Sequence, residues 1–200
     1  MLKIGLCGGM GAGKTEVSRI LAKMGVPSIN TDELSRIACE KGSECVNELV
    51  GFFGSFILAS DGSLDRKALA KIAFSKAEYT DKLNKITHPH ITDVMNRKLE
   101  EFEKQGVSAV FIDAPLLFES GLDKVFDFNV AVIAYEESRI ARALKRDGIT
   151  REAAIERMKK QKSNDFLVEN CDYYIENNGS SEELKQKVKD LALKLGIIKY

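Results

Sequence analysis

Apolar positions follow two spacings along this chain, short continuous runs and runs repeating every three or four residues, and the two alternate. Residues 2–7 (LKIGLC) are mostly apolar, end at glycines and predict a buried strand. From Lys14 to Met24, the side chains of Val17, Ile20, Leu21 and Met24 share one helical face, and Gly25 stops the helix. Residues 26–29 predict a second strand. The opening is therefore strand, glycine-rich loop, helix, strand, a βαβ unit. Between Asp32 and Gln105 no strand pattern occurs. Leu34, Ile37 and Ala38, then Leu69, Ile72 and Ala73, then Leu83 and Ile86, all repeat with helical spacing, and Val94, Leu99 and Phe102 continue it. Residues 107–112 (VSAVFI) predict a strand ending at Asp113, residues 130–134 another and residues 173–175 a last one. Helices are expected over 136–147 and 180–195, the second opened by a capping box of Ser180 with Glu183 and stopped by Gly196. The gap from Ile29 to Val107 is far longer than one crossover helix needs. A helical insertion must fill it, which gives an α/β core, residues 1–34 and 107–200, with an insertion over 35–106.

Composition narrows the function. At 200 residues the chain is long enough for one sizeable core and short for two domains. Its formal net charge of +0 argues against coating nucleic acid by bulk charge. No apolar run approaches the roughly 20 residues that span a bilayer, and the first residues reach glycine too soon for a secretory signal. A cytoplasmic protein, without nucleic-acid or membrane partners, is expected. Cys7, Cys39, Cys45 and Cys171 show neither a CxxC pair nor zinc-ligand spacing and are expected to be free thiols.

The chemistry enters with residues 8–15, GGMGAGKT, which fit GxxxxGK[ST] after an apolar strand and before a helix. Glycines there let the backbone turn its N–H groups around phosphate oxygens, and the helix N-terminus adds donors and dipole. The motif assigns Lys14 to the β- and γ-phosphates of a nucleotide and the Thr15 hydroxyl to Mg²⁺. A GTPase would need an [NT]KxD base-recognition motif, which is not evident, and a motor ATPase a larger chain. A small chain with a helical insertion suits a metabolite kinase, which must exclude water from ATP.

The whole chain then resembles the dephospho-CoA kinase family. The resemblance rests on G-L-x-G-G-x-G-x-G-K at the start, Asp32 followed by x-x-S-R, Ile86-Thr-His-Pro-His-Ile91, Pro115-Leu-Leu-Phe-Glu119, residues 142–148 (RALKRDG), Gln161, and Asp172-Tyr-Tyr-Ile-Glu-Asn177, in that order. Cys7 stands where Thr is common, Glu16 likewise, and Asn30-Thr31-Asp32 replaces Asp-Ala-Asp. The resemblance implies a P-loop kinase fold of three layers with a central parallel sheet, a substrate-binding insertion and a lid near residues 139–170. It implies ATP-dependent phosphorylation of the ribose 3′-hydroxyl of dephospho-CoA, with ATP and Mg²⁺, by a monomer or weak homo-oligomer. Another small-molecule P-loop kinase, for nucleoside monophosphates, shares the loop but not the two Pro-containing motifs.

Site residues follow from that resemblance. Asp32 would orient the acceptor hydroxyl and accept its proton; by position alone it is equally a helix N-cap. Asp113 would support Mg²⁺, or merely end a strand. Gly9, Gly11, Ala12, Gly13, Lys14, Thr15 and Glu16 form the nucleotide set. Between Arg139 and Lys162 stand nine basic and three acidic residues, with Arg139, Arg142 and Arg146 on one helix face. Arg142 and Arg146 would grip phosphates from the lid, Arg142 as a catalytic residue. Asn177 would touch adenine, or be a turn Asn before Gly179. His88 and Leu116 are assigned to the acceptor. The alternatives are a helix-boundary histidine before Pro89 and a core position for Leu116, Leu117 and Phe118.

Overall fold

A computed structural model describes residues 1–199 of the chain. A five-stranded sheet has the order β2-β3-β1-β4-β5, from β1 (Leu2–Cys7), β2 (Ser28–Asn30), β3 (Ala109–Asp113), β4 (Phe128–Ile133) and β5 (Tyr173–Glu176). β1 is central and parallel to β3 on one side and β4 on the other; β4 is parallel to β5. Burial on both faces explains the unbroken apolar runs, and every residue of β3 is buried. On one face, Val17, Ile20 and Leu21 of α1 (Lys14–Lys23) and Leu184 and Val188 of α9 (Ser181–Lys194) pack on Ile4, Leu6, Val130, Val132 and Ile175. The other face carries α8 (Asn164–Asn170) against β4 and β5. The capping box of Ser180 and Glu183 is present.

The chain forms two compact units, Met1–Ile29 with the residues from Glu103 onward, and Asn30–Phe102. The second unit is helical: α2 (Thr31–Ala38), α3 (Glu44–Phe53), α4 (Arg66–Ala73) and most of α5 (Ala77–Lys104). Cys45, Val46, Leu49, Phe53, Ile57, Leu69, Ala73 and Ile86 form its own core. None of the described helices is long and apolar enough to cross a membrane.

Several elements differ from the sequence expectation for physical reasons. Val26 is not in β2. Its N–H donates to Leu21 O at 3.0 Å, closing the end of α1, so the strand starts at Ser28. β3 begins at Ala109, opposite Leu2, the first residue of its partner strand. Pro89 marks no helix boundary: α5 runs through it for 28 residues. The ring removes one backbone donor, yet the apolar face continues from Ile86 to Val94, Met95 and Leu99 and keeps the helix whole. Three helices were not among the expected elements: α3, α7 (Arg151–Lys159) and α8. Each is opened by a hydroxyl N-cap, from Ser43, Thr150 and Ser163.

Candidate active site

The loop after β1 is held by its carbonyls. Arg139 Nε donates to Met10 O at 3.0 Å. Arg142 Nη1 donates to Gly11 O at 3.2 Å and Ala12 O at 3.4 Å, and Asn177 Nδ2 to Ala12 O at 2.8 Å. In a planar trans peptide the N–H points opposite to the C=O. The N–H groups of Gly11 and Gly13, which share peptides with Met10 O and Ala12 O, are thereby turned away from these donors, into the loop. The Met10 N–H is itself taken by Gln161 Oε1 at 2.8 Å, so both polar groups of Met10 are clasped.

Two glycines are fixed by this geometry. Gly11 has φ +76°, and a Cβ there would collide with the Arg139 backbone. Gly13 has φ +108°, and a Cβ would collide with the Asn177 amide. Just beyond Gly13, α1 begins with no side-chain cap. Its first-turn N–H groups and the positive end of its dipole form a site for anionic oxygens.

Lys14 Nζ donates to Gly8 O at 2.9 Å and lies 4.0 Å from Asp113 Oδ1. The β1–β3 register sets Asp113 beside Leu6, two residues before the loop. Asp113 is 9% exposed, a buried carboxylate at the carboxyl edge of the sheet, where ligands bind in open α/β folds. Thr15 is exposed in the first turn of α1. Glu16 turns to Arg19, 3.1 Å away on the helix surface, and its N–H is bound to Gly13 O.

The arginine face divides in three. Arg139 is 7% exposed, bound to Met10 O, Asn164 Oδ1 and Gln161 Oε1, and burial pulls its guanidinium below its ordinary pKa. Arg142 adds a bond to Asn177 O at 2.8 Å. Arg146 is exposed and paired with Asp147. Arg139, Ile140 and Ala143, all on α6 (Glu136–Asp147), are buried, so the segment expected as a lid starts on a packed helix. Sequence reasoning missed Arg139 and the carbonyl-holding use of Asn177; the one-sided arginine face signalled the helix but not which atoms it binds.

This gives a test of Arg142. Arg142→Ala removes donors from three carbonyls and is expected to lower the unfolding free energy of the nucleotide-free protein by about 2 kcal/mol. It should also raise the KM for nucleotide by about tenfold, as the loop loosens. Thermal unfolding without nucleotide, alongside steady-state kinetics, checks both. A residue that served only as a phosphate ligand would leave the first quantity unchanged.

Asp32 lies in the first turn of α2, exposed. It is not the N-cap. Asn30 is, its side chain accepting from Asp32 N at 2.8 Å and Glu33 N at 3.4 Å. His88 is exposed on α5, whereas His90 binds Glu48 at 3.0 Å. His90, with Ser43, Asp93, Asn96 and Arg97, lines a polar cleft of about 660 Å³ in the helical unit, a volume suited to a nucleotide-sized ligand. Leu116 is 64% exposed and not core; Leu117 is core at 1%, and Phe118 stacks edge-on with Phe166. The turn 115–119 flanks a small cleft beside Gly8 and Gly9.

Comparison with known proteins adds the following. The family model for dephospho-CoA kinase matches residues 2–183. The dephospho-CoA kinase of Corynebacterium glutamicum is 39% identical over 191 residues, 96% of this chain and 98% of that one. The crystal structure of a Thermus thermophilus protein superposes with TM-score 0.84 at 30% identity, covering 97% of each chain. Dephospho-CoA kinase from Campylobacter jejuni shares the fold, with TM-score 0.71 at 22% identity over 96% of each chain.

Proposed function

The chain belongs to the dephospho-CoA kinase family, and from that premise we propose how its own residues divide the work of the reaction. The protein is a kinase that phosphorylates the ribose 3′-hydroxyl of dephospho-CoA at the expense of ATP, the last step of coenzyme A biosynthesis. What supports the assignment of residues most is the loop of residues 8–15, with its carbonyls held outward and Lys14 beside a buried carboxylate.

In this reading the N–H groups of Gly11, Gly13 and the first turn of α1 bind the β- and γ-phosphate oxygens of ATP. Lys14 exchanges Gly8 O for a phosphate oxygen and stabilises charge on the transferring group. Arg139, Arg142 and Asn177 are positioning residues: they hold the loop by its carbonyls. Arg146, exposed beyond them, reaches phosphate only by leaving Asp147. Mg²⁺ fits the donors present, since the Thr15 hydroxyl and the Asp113 carboxylate are hard oxygen ligands and this ion takes its remaining ligands from water and phosphate. When bound, it neutralises charge on the phosphate oxygens. Asp32 accepts the hydrogen bond of the 3′-hydroxyl, orients it towards phosphorus and takes the proton as the new P–O bond forms. Its carboxylate is available for this because Asn30 caps the helix. The polar cleft of the helical unit receives part of the acceptor, with His90 rather than His88 among its walls. A cytoplasmic location agrees with four free thiols.

Mass spectrometry of dephospho-CoA incubated with the protein, ATP and Mg²⁺ tests the reading. The expected product carries one added phosphoryl group on the 3′-hydroxyl. ADP release with a nucleoside monophosphate and none with dephospho-CoA would overturn it.

A further inference from the structure

The four cysteines, spread over the sequence, meet in space as two thiol pairs. Cys39 and Cys45 lie 3.5 Å apart inside the helical unit, and Cys7 and Cys171 3.6 Å apart beside the phosphate loop. The second pair differs from the first in access. Cys39 and Cys45 are both buried, whereas Cys171 is partly exposed and only Cys7, at 2%, is buried. Cys7 is the last residue of β1, and Cys171 closes α8, with Asp172 tying the following turn to Asn129 of β4. Cys7 therefore sits in the sheet and Cys171 in the turn that leads from α8 into β5, with the two sulfurs 3.6 Å apart.

We propose that Cys7 and Cys171 form a dithiol modification site that a peroxide converts to a disulfide, weakening the phosphate loop next to it. The sulfur of Cys171, the accessible one, attacks one oxygen of hydrogen peroxide. The O–O bond breaks, the departing hydroxide takes the thiol proton and leaves as water, and Cys171 becomes a sulfenic acid. The sulfur of Cys7 then attacks the sulfur of Cys171. The S–O bond breaks, the leaving hydroxide takes the Cys7 proton as a second water, and the S–S bond forms. Two thiols are oxidised, one peroxide is reduced to two waters, and the protein loses two hydrogen atoms. The order of attack agrees with the hydrogen bond between the thiols. With Cys7 as donor, this bond and then burial hold the Cys7 thiol well above its ordinary range, and the same bond holds Cys171 below.

The effect on the loop follows from distance. Sulfurs 3.6 Å apart must close to about 2.05 Å, a shift of about 1.5 Å shared between the two sides. On one side the next residue is Gly8, whose carbonyl holds Lys14 Nζ. Gly8 has no room to yield towards β4, where even a Cβ would collide with Val132 O. Displacement at Cys7 therefore passes to Gly8 O and to Lys14. A misplacement of about 1 Å near the reacting groups costs up to about 100-fold, so kcat/KM for ATP is expected to fall between about tenfold and 100-fold. Reduction of the bridge should restore it.

The test treats the whole protein with hydrogen peroxide, caps remaining thiols with iodoacetamide and maps the peptides by mass spectrometry. The expected result is a peptide pair joined through Cys7 and Cys171, two hydrogens lighter than the sum of its parts and separated by dithiothreitol. Cys171→Ala, at a partly exposed position, should keep full activity, keep Cys7 reduced and remove peroxide sensitivity. Cys7→Ala should stop the chemistry at Cys171 sulfenic acid, trapped by dimedone. A bridge found only between Cys39 and Cys45, Cys171 advancing to sulfinic acid with Cys7 still alkylated, or a Cys171→Ala protein as sensitive as the parent would each overturn the proposal. The peptide mass reads the bridge whatever substrate the protein phosphorylates.

Discussion

Lys14→Ala is expected to lower kcat by about 100- to 1,000-fold, the loss typical of removing one preorganised donor from a developing anion. The fold should survive. Lys14 is a loop-end side chain that binds Gly8 O and lies 4.0 Å from Asp113, and losing these contacts costs about 1 kcal/mol. The contrast between a large kinetic and a small thermodynamic change is the diagnostic. Single-turnover phosphotransfer together with a urea unfolding curve measures both. Near-normal phosphotransfer in the variant would remove Lys14 from the chemistry.

The second large effect is expected at Asp32. Asp32→Asn keeps size and removes the charge and the proton acceptor, and kcat should fall by about 100- to 10,000-fold with the KM for ATP almost unchanged. Since Asn30 supplies the cap, stability should change by only about 0.5 kcal/mol, the worth of one carboxylate near a helix N-terminus. A cap residue would show the opposite balance, with stability falling and turnover kept. Unchanged kcat would therefore return Asp32 to an ordinary surface position.

What was legible in the sequence depended on whether a signal was local. The buried strands β1, β3 and β4 stood out because parallel strands covered on both faces are apolar throughout, as in residues 109–112. The phosphate loop was legible because its glycines answer to local backbone demands. The helical insertion was legible as a gap between strands and as helical spacing over parts of α2, α4 and α5. Its helix α3, with buried Cys45, Val46, Leu49 and Phe53 around a polar Asn47-Glu48 pair, was not singled out, and α5 hides a proline that a local rule reads as a stop. The site was half legible for the same reason. Lys14, Thr15 and Asp113 carry their roles in a motif or a strand end. Arg139 and Arg142 could be placed on a helix face, but their acceptors are carbonyls about 130 positions away, and no pattern along the chain shows where a guanidinium meets a distant backbone. Asn30, which stands where the family pattern has Asp, is the residue that caps the Asp32 segment. The two thiol pairs were invisible, because Cys7 and Cys171 are 164 positions apart.

The clasp on Met10, Gly11 and Ala12 has a consequence for when disorder is lost. A loose glycine-rich loop must be frozen by whatever it binds, at about 1–2 kcal/mol of conformational entropy for each residue ordered. Here Arg139, Arg142, Gln161 and Asn177 have already frozen it, so that loss falls on folding and not on the arrival of the nucleotide. The glycines that make the loop possible are also the residues with the most freedom to give up, and each is stilled before any phosphate is near. Bonds within the protein thus hold the loop in a shape that fits an anion, and less of the nucleotide's affinity is spent on ordering it.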